Sequence, residues 1–313
     1  MKKEPWIIKN ENEISVREVT LDVGMSGTPI KILQLTDIHF HAINDQDSKE
    51  NHELVMASYD DLTWLKDGAS VPRLKRCFEA AGEVDQIVIT GDTLSYLSHG
   101  GLELLKKHIF DPYPDALVCM GNHDSLRCWN AKVDEVQTQM ERHEILKKHW
   151  IHDIYYTSKV IDGRVMVIQL DDASLIDYGK GGFWDFQIEP FANDLALARD
   201  KGYAVLLFYH VPIATRDPRY RAVESCTSHG GVENYCDPSK HVLSCENGAA
   251  KRFMDLVARY SDVIKGAFCG HMHGDYYTEF TLTDENGVER TVPQYVVTAM
   301  PYDKGSYLML TVQ

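Results

Sequence analysis

The chain has 313 residues, 44% of them apolar and 25% charged, a balance that excludes wholesale disorder, collagen and coiled-coil architectures. Thirty-two Lys and Arg against 47 Asp and Glu give a net charge of −15, which disfavours a nucleic-acid binder working by phosphate neutralisation. No stretch approaches 18 uncharged apolar residues, and no apolar run follows Met1-Lys2-Lys3, so neither a membrane helix nor a secretory signal is expected.

In chain order, residues 1–29 read as an N-terminal extension with a strand pair around Ile14–Val23. Ile30–Thr36, Gln86–Thr90 and Ala116–Met120 are short apolar runs, each closed by Asp or Gly, as are strands buried on both faces. Arg164–Leu170, Tyr203–Tyr209 and Val263–Cys269 continue the series. Between them, Asn51–Leu65, Val71–Ala81, Gly101–His108, Asp134–Trp150, Pro190–Asp200 and Gly248–Tyr260 carry apolar residues at three- and four-residue spacing, which predicts helices. Pro72 and Pro190 suit first-turn positions. Such alternation predicts an α/β fold in one domain spanning 1–313. Tyr276–Thr283, Thr291–Thr298 and Ser306–Val312, with turns at Asn286-Gly287 and Asp303–Gly305, predict a closing antiparallel meander. Residues 214–247 have little period and read as a long insertion, either a lid or an ornament.

The seven cysteines include no CxxC pair, and the chain has no Asn-x-Ser/Thr sequon, which fits a reducing cytoplasm. Cys226, Cys236 and Cys245 fall close together; free thiols are favoured over a disulfide or a structural metal.

The chemistry stands at the strand ends. The first strand ends in Asp37-Ile38-His39, the second in Gly91-Asp92, and the third in Gly121-Asn122-His123-Asp124. Two later strands deliver His210 and Gly270-His271-Met272-His273. Ligands of open α/β sheets gather at the carboxyl ends of strands. Asp37, His39, Asp92, Asn122, His210, His271 and His273 offer oxygen and imidazole donors and no thiolate, a set suited to Mn, Fe or Zn. Seven donors exceed what one ion takes, which implies two ions sharing a carboxylate. Two such ions, roughly 3.5–4 Å apart, serve in-line phosphoryl displacement.

These blocks resemble the calcineurin-like metallophosphoesterases, whose pattern is D-x-H, G-D, G-N-H-[D/E], a lone His and G-H-x-H. The chain has DIH at 37–39, GD at 91–92, GNHD at 121–124, His210 in HVP and GHMH at 270–273, in that order. The resemblance implies a four-layer α/β/β/α sandwich, two mixed sheets flanked by helices. It implies one metal on Asp37, His39 and His273, a second on Asn122, His210 and His271, and Asp92 between them. It further implies a metal-bridging hydroxide attacking phosphorus in line, with His123 at the leaving oxygen and Asp124 orienting His123.

The second block departs from the family's frequent G-D-x-x-D, because Ser95 stands where the second Asp would be and no Arg-Gly follows. With GNHD rather than GNHE, the chain looks less like a protein Ser/Thr phosphatase than like the small phosphodiesterase and phosphomonoesterase branch. A small phosphodiester, such as a cyclic nucleotide, is the expected substrate. A phosphomonoester of a small metabolite is the alternative, and an inactive metal-binding scaffold stands behind it. No nucleic-acid or membrane partner is expected, and a nuclease is disfavoured by the acidic balance. His41, His99, His229, the arginines 216, 219 and 221, and the aromatic residues Trp129, Tyr220 and Tyr235 read as ordinary loop residues, with substrate contact the alternative.

Overall fold

The computed structural model describes residues 6–11, 14–53, 70–125, 136–174, 182–214, 221–227, 243–244, 248–301 and 305–313. Two mixed sheets face one another and helices cover their outer faces. The first sheet holds β1 (Ile7–Glu11), β2 (Ile14–Leu21), β3 (Ile30–Leu35), β4 (Gln86–Thr90), β5 (Leu117–Cys119) and β15 (Ser306–Val312), in the order β1-β2-β15-β3-β4-β5. The second runs β10 (Arg221–Thr227), β13 (Asp275–Thr283), β14 (Glu289–Val296), β12 (Ile264–Cys269), β8 (Ala204–Phe208), β7 (Val165–Leu170) and β6 (Tyr156–Ile161). A two-residue parallel pair joins β9 (Ile213–Ala214) to β11 (Leu243–Ser244).

Strand alternation explains the layers. Along β3, Ile32 points between the sheets, beside Val88, Leu206, Phe208, Phe268 and Leu308. Leu33 and Leu35 point outward. There they meet Leu74 of α1 (Ser70–Ala81), Leu102 and Leu105 of α2 (His99–Leu105) and Leu146 of α3 (Val136–His149). On the far side, Ile168 and Leu207 pack on Phe191 and Leu195 of α4 (Asp185–Lys201) and on Phe253 and Val257 of α5 (Gly248–Arg259). Each central strand is thus apolar on both faces, which is why its sequence reads as a continuous hydrophobic run. Phe268 stacks on Phe208 and Tyr295 of the two neighbouring strands, with centroids at 5.0 and 5.2 Å, and the stack forms the second sheet's contribution to the inter-sheet core.

Toward the strand C-termini the inter-sheet layer turns polar. Gln34 donates to Thr90 Oγ1 and to the Cys269 carbonyl at 3.0 and 3.1 Å, and Gln169 donates to the Ile89 carbonyl at 3.3 Å. These buried amides tie the two sheets together directly beneath the ends that carry the Asp and His motifs.

Three sequence expectations need correction. The last three strands do not form one meander: β13 and β14 pair antiparallel, but β15 crosses to the first sheet, parallel to β2 and antiparallel to β3. Its Leu308 and Leu310 fill the inter-sheet core while Tyr307 packs outward, so it needs cover on both faces. Second, α4 begins at Asp185, and Pro190 lies inside it. The Trp184 N–H donates to the Gln187 side chain at 2.6 Å and starts the helix a turn early. Third, the helix expected over Gly101–His108 starts at His99, where the Ser98 hydroxyl accepts the Gly101 N–H at 3.0 Å. It then widens into a π turn over Lys106–Phe110. The repeated Ser-His-Gly-Gly is therefore a helix start at 98–101; its copy at 228–231 lies outside the described residues, as do most of the expected Asn51–Leu65 helix and Cys236 and Cys245. Strands β6 and β10 escaped the reading because both are sheet edges without an apolar run.

Candidate metal centre

The backbone at the strand ends is strained where it carries the motif side chains. Asp37, His39, Asp92, His271 and His273 all have positive φ, between 50 and 71°, and Asp162 is the one other non-glycine residue of that kind among the described residues. A left-handed conformation at a non-glycine residue costs about 1–3 kcal/mol and persists where surrounding bonds over-determine it. Those bonds are present. The β3 and β4 loops stay zipped beyond their strands, through Asp37 N–H to Gly91 O, His39 N–H to Asp92 O and Phe40 N–H to Thr93 O, at 3.0, 2.9 and 2.7 Å. Ser95 closes the zipper: its N–H donates to Phe40 O at 3.0 Å and its hydroxyl to His39 O at 3.2 Å. Two glycines admit close approaches. A Cβ on Gly121 would overlap the Asp92 carboxylate, and one on Gly270 would overlap Thr36 Oγ1.

All seven donors named from the sequence come together. Asp37 turns one oxygen away, where Oδ2 accepts from Thr36 Oγ1 at 2.6 Å and the His271 N–H at 3.0 Å. Its Oδ1 lies 3.2 Å from His273 Nε2 and 3.9 Å from His39 Nε2. His39 and His273 bring their Nε2 atoms within 3.1 Å of each other. Asp92 is also divided: Oδ1 accepts the His123 N–H at 2.8 Å, while Oδ2 faces His210 Nε2 at 3.2 Å and His39 Nε2 at 3.9 Å. His210 Nε2 further lies 3.1 Å from Asn122 Oδ1 and 3.2 Å from His271 Nδ1. Two clusters result, Asp37-His39-Asp92-His273 and Asp92-His210-His271, with Asp92 in both.

The donor chemistry fits cations. His210 Nδ1 lies 2.7 Å from the Thr90 carbonyl, which can only accept, so that nitrogen carries the proton. Its Nε2 lone pair therefore points at a carboxylate oxygen, an amide oxygen and a second imidazole. Such a gathering of acceptors repels itself unless a positive charge sits among them. The titration behaviour says the same. Burial pushes His210 down, but the Asp92 charge and hydrogen bond outweigh it and lift the imidazole to about 10, drawing a proton in where a cation would go. Burial and the His210 charge push His271 down to about 3, leaving a neutral imidazole. Burial and His123 hold His39 well below its usual value. Burial works upward on Asp92, yet His210 and His123 keep it well below the usual carboxylate range. Asp92, His39 and His271 thus stand in the anionic and neutral forms that bind metals, while His210 would give up its proton to a bound cation.

His123 and Asp124 differ in what they do. His123 Nδ1 lies 3.0 Å from the Ser95 carbonyl, which fixes that nitrogen as the donor, and its ring meets His39 edge-on at 4.9 Å. The expected Asp124–His123 contact is not formed. Asp124 accepts instead from Thr93 Oγ1, the Leu94 N–H and the Gly121 N–H, at 2.6, 2.8 and 2.7 Å. Its carboxylate, pushed up to about 7 by burial and the Asp92 charge, joins the GNHD loop to the GD loop. The Ser95 carbonyl takes the orienting part, because three orphan donors of two tight turns claim both Asp124 oxygens first.

The sequence reading missed Asp171 and Asp172, which end β7 as Asp and His end its neighbours. Asp172 accepts the His210 and Val211 N–H groups, both at 3.0 Å, and sets the backbone that presents His210. Asp171 accepts from Trp184 Nε1 at 3.0 Å and from the Ser174 hydroxyl. His41 is half-buried against the Tyr96 ring at 5.8 Å, and Trp129, Tyr220 and Tyr235 lie outside the described residues.

A sequence model of the calcineurin-like phosphoesterases matches residues 30–275. No curated protein matches the chain. Among solved structures, a dimetal phosphatase from Danio rerio shares 14% identity over 87% of this chain and 88% of that one, at a TM-score of 0.39. A putative 5'-nucleotidase from Staphylococcus aureus shares 12% over 86% of this chain and 54% of its own, at 0.37. Vps29 from Chaetomium thermophilum shares 13% over 86% and 98%, at 0.21. The family match thus spans 246 of the chain's 313 residues, and the fold places its Asp and His motifs at one end of the sandwich: the chain belongs to the calcineurin-like phosphoesterases, hydrolases of phosphoric esters that typically bind divalent metals.

Proposed function

We propose that this protein hydrolyses a small phosphodiester, with Asp37, His39 and His273 holding one divalent cation, Asn122, His210 and His271 holding a second, and Asp92 serving both. The observation that carries the reading is the Asp92 carboxylate, one oxygen fixed by the His123 N–H and the other turned to His39 and His210 of the two clusters. Bound there, two cations would neutralise charge building on the phosphoryl oxygens and bring a water's pKa toward neutrality. The protein's own share is orientation and proton traffic. His123, its Nδ1–H held by the Ser95 carbonyl, offers a proton from Nε2 to the departing oxygen and regains it from water. Thr36, Thr90 and Asp172 keep Asp37 and His210 in one orientation, so little reorganisation is left for the reaction.

Charge supports a diester over a monoester. The turn after Asp92 reads Thr93-Leu94-Ser95, with no arginine to grip a dianionic monoester, and all three residues are spent on loop structure. A monoanionic diester asks less of such a turn. Metal-stripped protein reloaded with Mn²⁺ should therefore show a higher kcat/KM for bis-p-nitrophenyl phosphate than for p-nitrophenyl phosphate. The reverse preference would make it a phosphomonoesterase, and no turnover of either would contradict a hydrolase. Direct attack by water also predicts inversion at a chiral phosphorus; net retention would require a covalent enzyme intermediate.

A further inference from the structure

The strained turn that carries His271 and His273 is held at both ends. Before it, the His271 N–H is fixed by Asp37 Oδ2 at 3.0 Å. After it, the Thr298 hydroxyl donates to the His273 carbonyl at 2.9 Å, and the Thr298 N–H lies 3.3 Å from Asp275 Oδ1. Asp275, two residues beyond His273, receives both arms of Arg17, Nε to Oδ1 and Nη2 to Oδ2, each at 2.8 Å. Both side chains of this pair are 0% exposed. Arg17 stands on β2, on the face that two residues later carries Val19 into the apolar layer between the sheets. Its remaining nitrogen donates to the Ser15 carbonyl at 2.9 Å and to the Ser306 hydroxyl at the start of β15.

A buried ion pair is a poor way to gain stability, because desolvation of both charges offsets much of their attraction, and apolar replacements of similar volume are often neutral or better. A planar fork on a carboxylate does something an apolar contact cannot: it fixes direction. Here the direction fixed is that of the residue that ends the His271–His273 turn. β2 and Ser306 both lie outside the stretch that matches the family, residues 30–275. We propose that the Arg17–Asp275 pair, acting through Thr298, is a positioning device that holds His273 in its strained conformation and thereby sets the affinity of the cation site formed with Asp37 and His39. The proposal rests on the metal sites assigned above. Arg17 and Asp275 touch neither cation nor substrate; they act through the backbone at His273.

The test is Mn²⁺ titration of metal-free protein by calorimetry and electron paramagnetic resonance, beside apo-protein melting. The variants are Arg17→Met with Asp275→Leu, which removes both charges and keeps the volume, and Thr298→Val, which removes only the hydroxyl on His273. Wild type should bind two ions. The double variant should melt within a few degrees of wild type yet bind one of its two ions at least tenfold more weakly. Thr298→Val should weaken the same ion severalfold, and it keeps the test decisive should the double variant fail to fold. Arg17→Lys, which keeps the charge but loses the fork, should fall between wild type and the double variant. Wild-type affinity at both sites in Thr298→Val, and in the double variant wherever it folds, would overturn the proposal alone. A wild type that takes up no ion would overturn the metal-site assignment, and this proposal with it.

Discussion

In the proposed chemistry Asp92 is the central residue, and its two oxygens have different partners: the His123 backbone for one, the imidazoles of both clusters for the other. Asp92→Asn keeps the shape and the hydrogen bond from His123 but removes the charge. It should lower kcat by at least 10²–10³-fold, as measured on either nitrophenyl ester. His123→Gln separates proton donation from metal holding. It should cost about 10²–10⁴-fold on a diester with an alkoxide leaving group, and far less with p-nitrophenolate, which departs without a proton. Equal losses on both substrates would remove His123 from the acid role. Asp124 acts differently, because its bonds hold two loops together. Asp124→Ala strands buried donors and should lower stability by about 1–3 kcal/mol for each donor left unpaired, read from urea unfolding of metal-free protein. The residue types and order of the donors were legible in the sequence, since Asp, His and Asn at strand ends are conspicuous. The partners that orient them were not: nothing in the sequence marks the Ser95 carbonyl, or tells Asp124 the loop tie from Asp124 the imidazole partner, because backbone acceptors leave no trace in residue identity.

At the scale of elements, the strand ends tolerate almost no change in backbone course. Gly121→Ala would push a methyl into the Asp92 carboxylate. Misplacement by about 1 Å costs roughly 10²-fold in rate, so this variant should lose activity to that extent while still binding metal, as activity and metal titration together would show. Helix α3 makes a pH prediction. His143 is buried there, its Nδ1 3.0 Å from the Tyr155 hydroxyl, and burial, with help from the Arg142 and Lys147 charges, pushes it down to about 4 from 6.5. The folded state keeps His143 neutral while the unfolded chain takes up a proton below pH 6.5, so its stabilising share is present above that value and is lost as pH falls toward 4. Between pH 7 and pH 5 metal-free wild type should lose about 2 kcal/mol more stability than His143→Gln. Equal losses would contradict the assignment. Central strands and amphipathic helices were legible as periods and apolar runs. Edge strands β6 and β10 and the early start of α4 were not, because pairing and side-chain capping, rather than hydrophobic pattern, decide them.

Across the whole molecule, two sheets bring five strand ends from distant parts of the chain to one place, and the inter-sheet layer keeps them in register. Phe268, stacked between Phe208 and Tyr295 just before the GHMH turn, is central to that layer, and Phe268→Ala should cost about 3–5 kcal/mol. The family resemblance made the sandwich legible before its strands could be ordered, but the crossing of β15 into the first sheet depends on contacts some 290 residues apart that no local pattern encodes. That same crossing brings Ser306 to Arg17, close to the candidate metal centre. No helix among the described residues is long and apolar enough to cross a membrane, and the net charge of −15 fits a small substrate better than a polyanion. The most direct test of the central claim is anomalous diffraction from crystals of the protein reloaded with Mn²⁺. Two peaks should flank the Asp92 carboxylate, one among Asp37, His39 and His273 and the other among Asn122, His210 and His271. A single peak, or peaks that leave Asp92 out of contact with either ion, would contradict it.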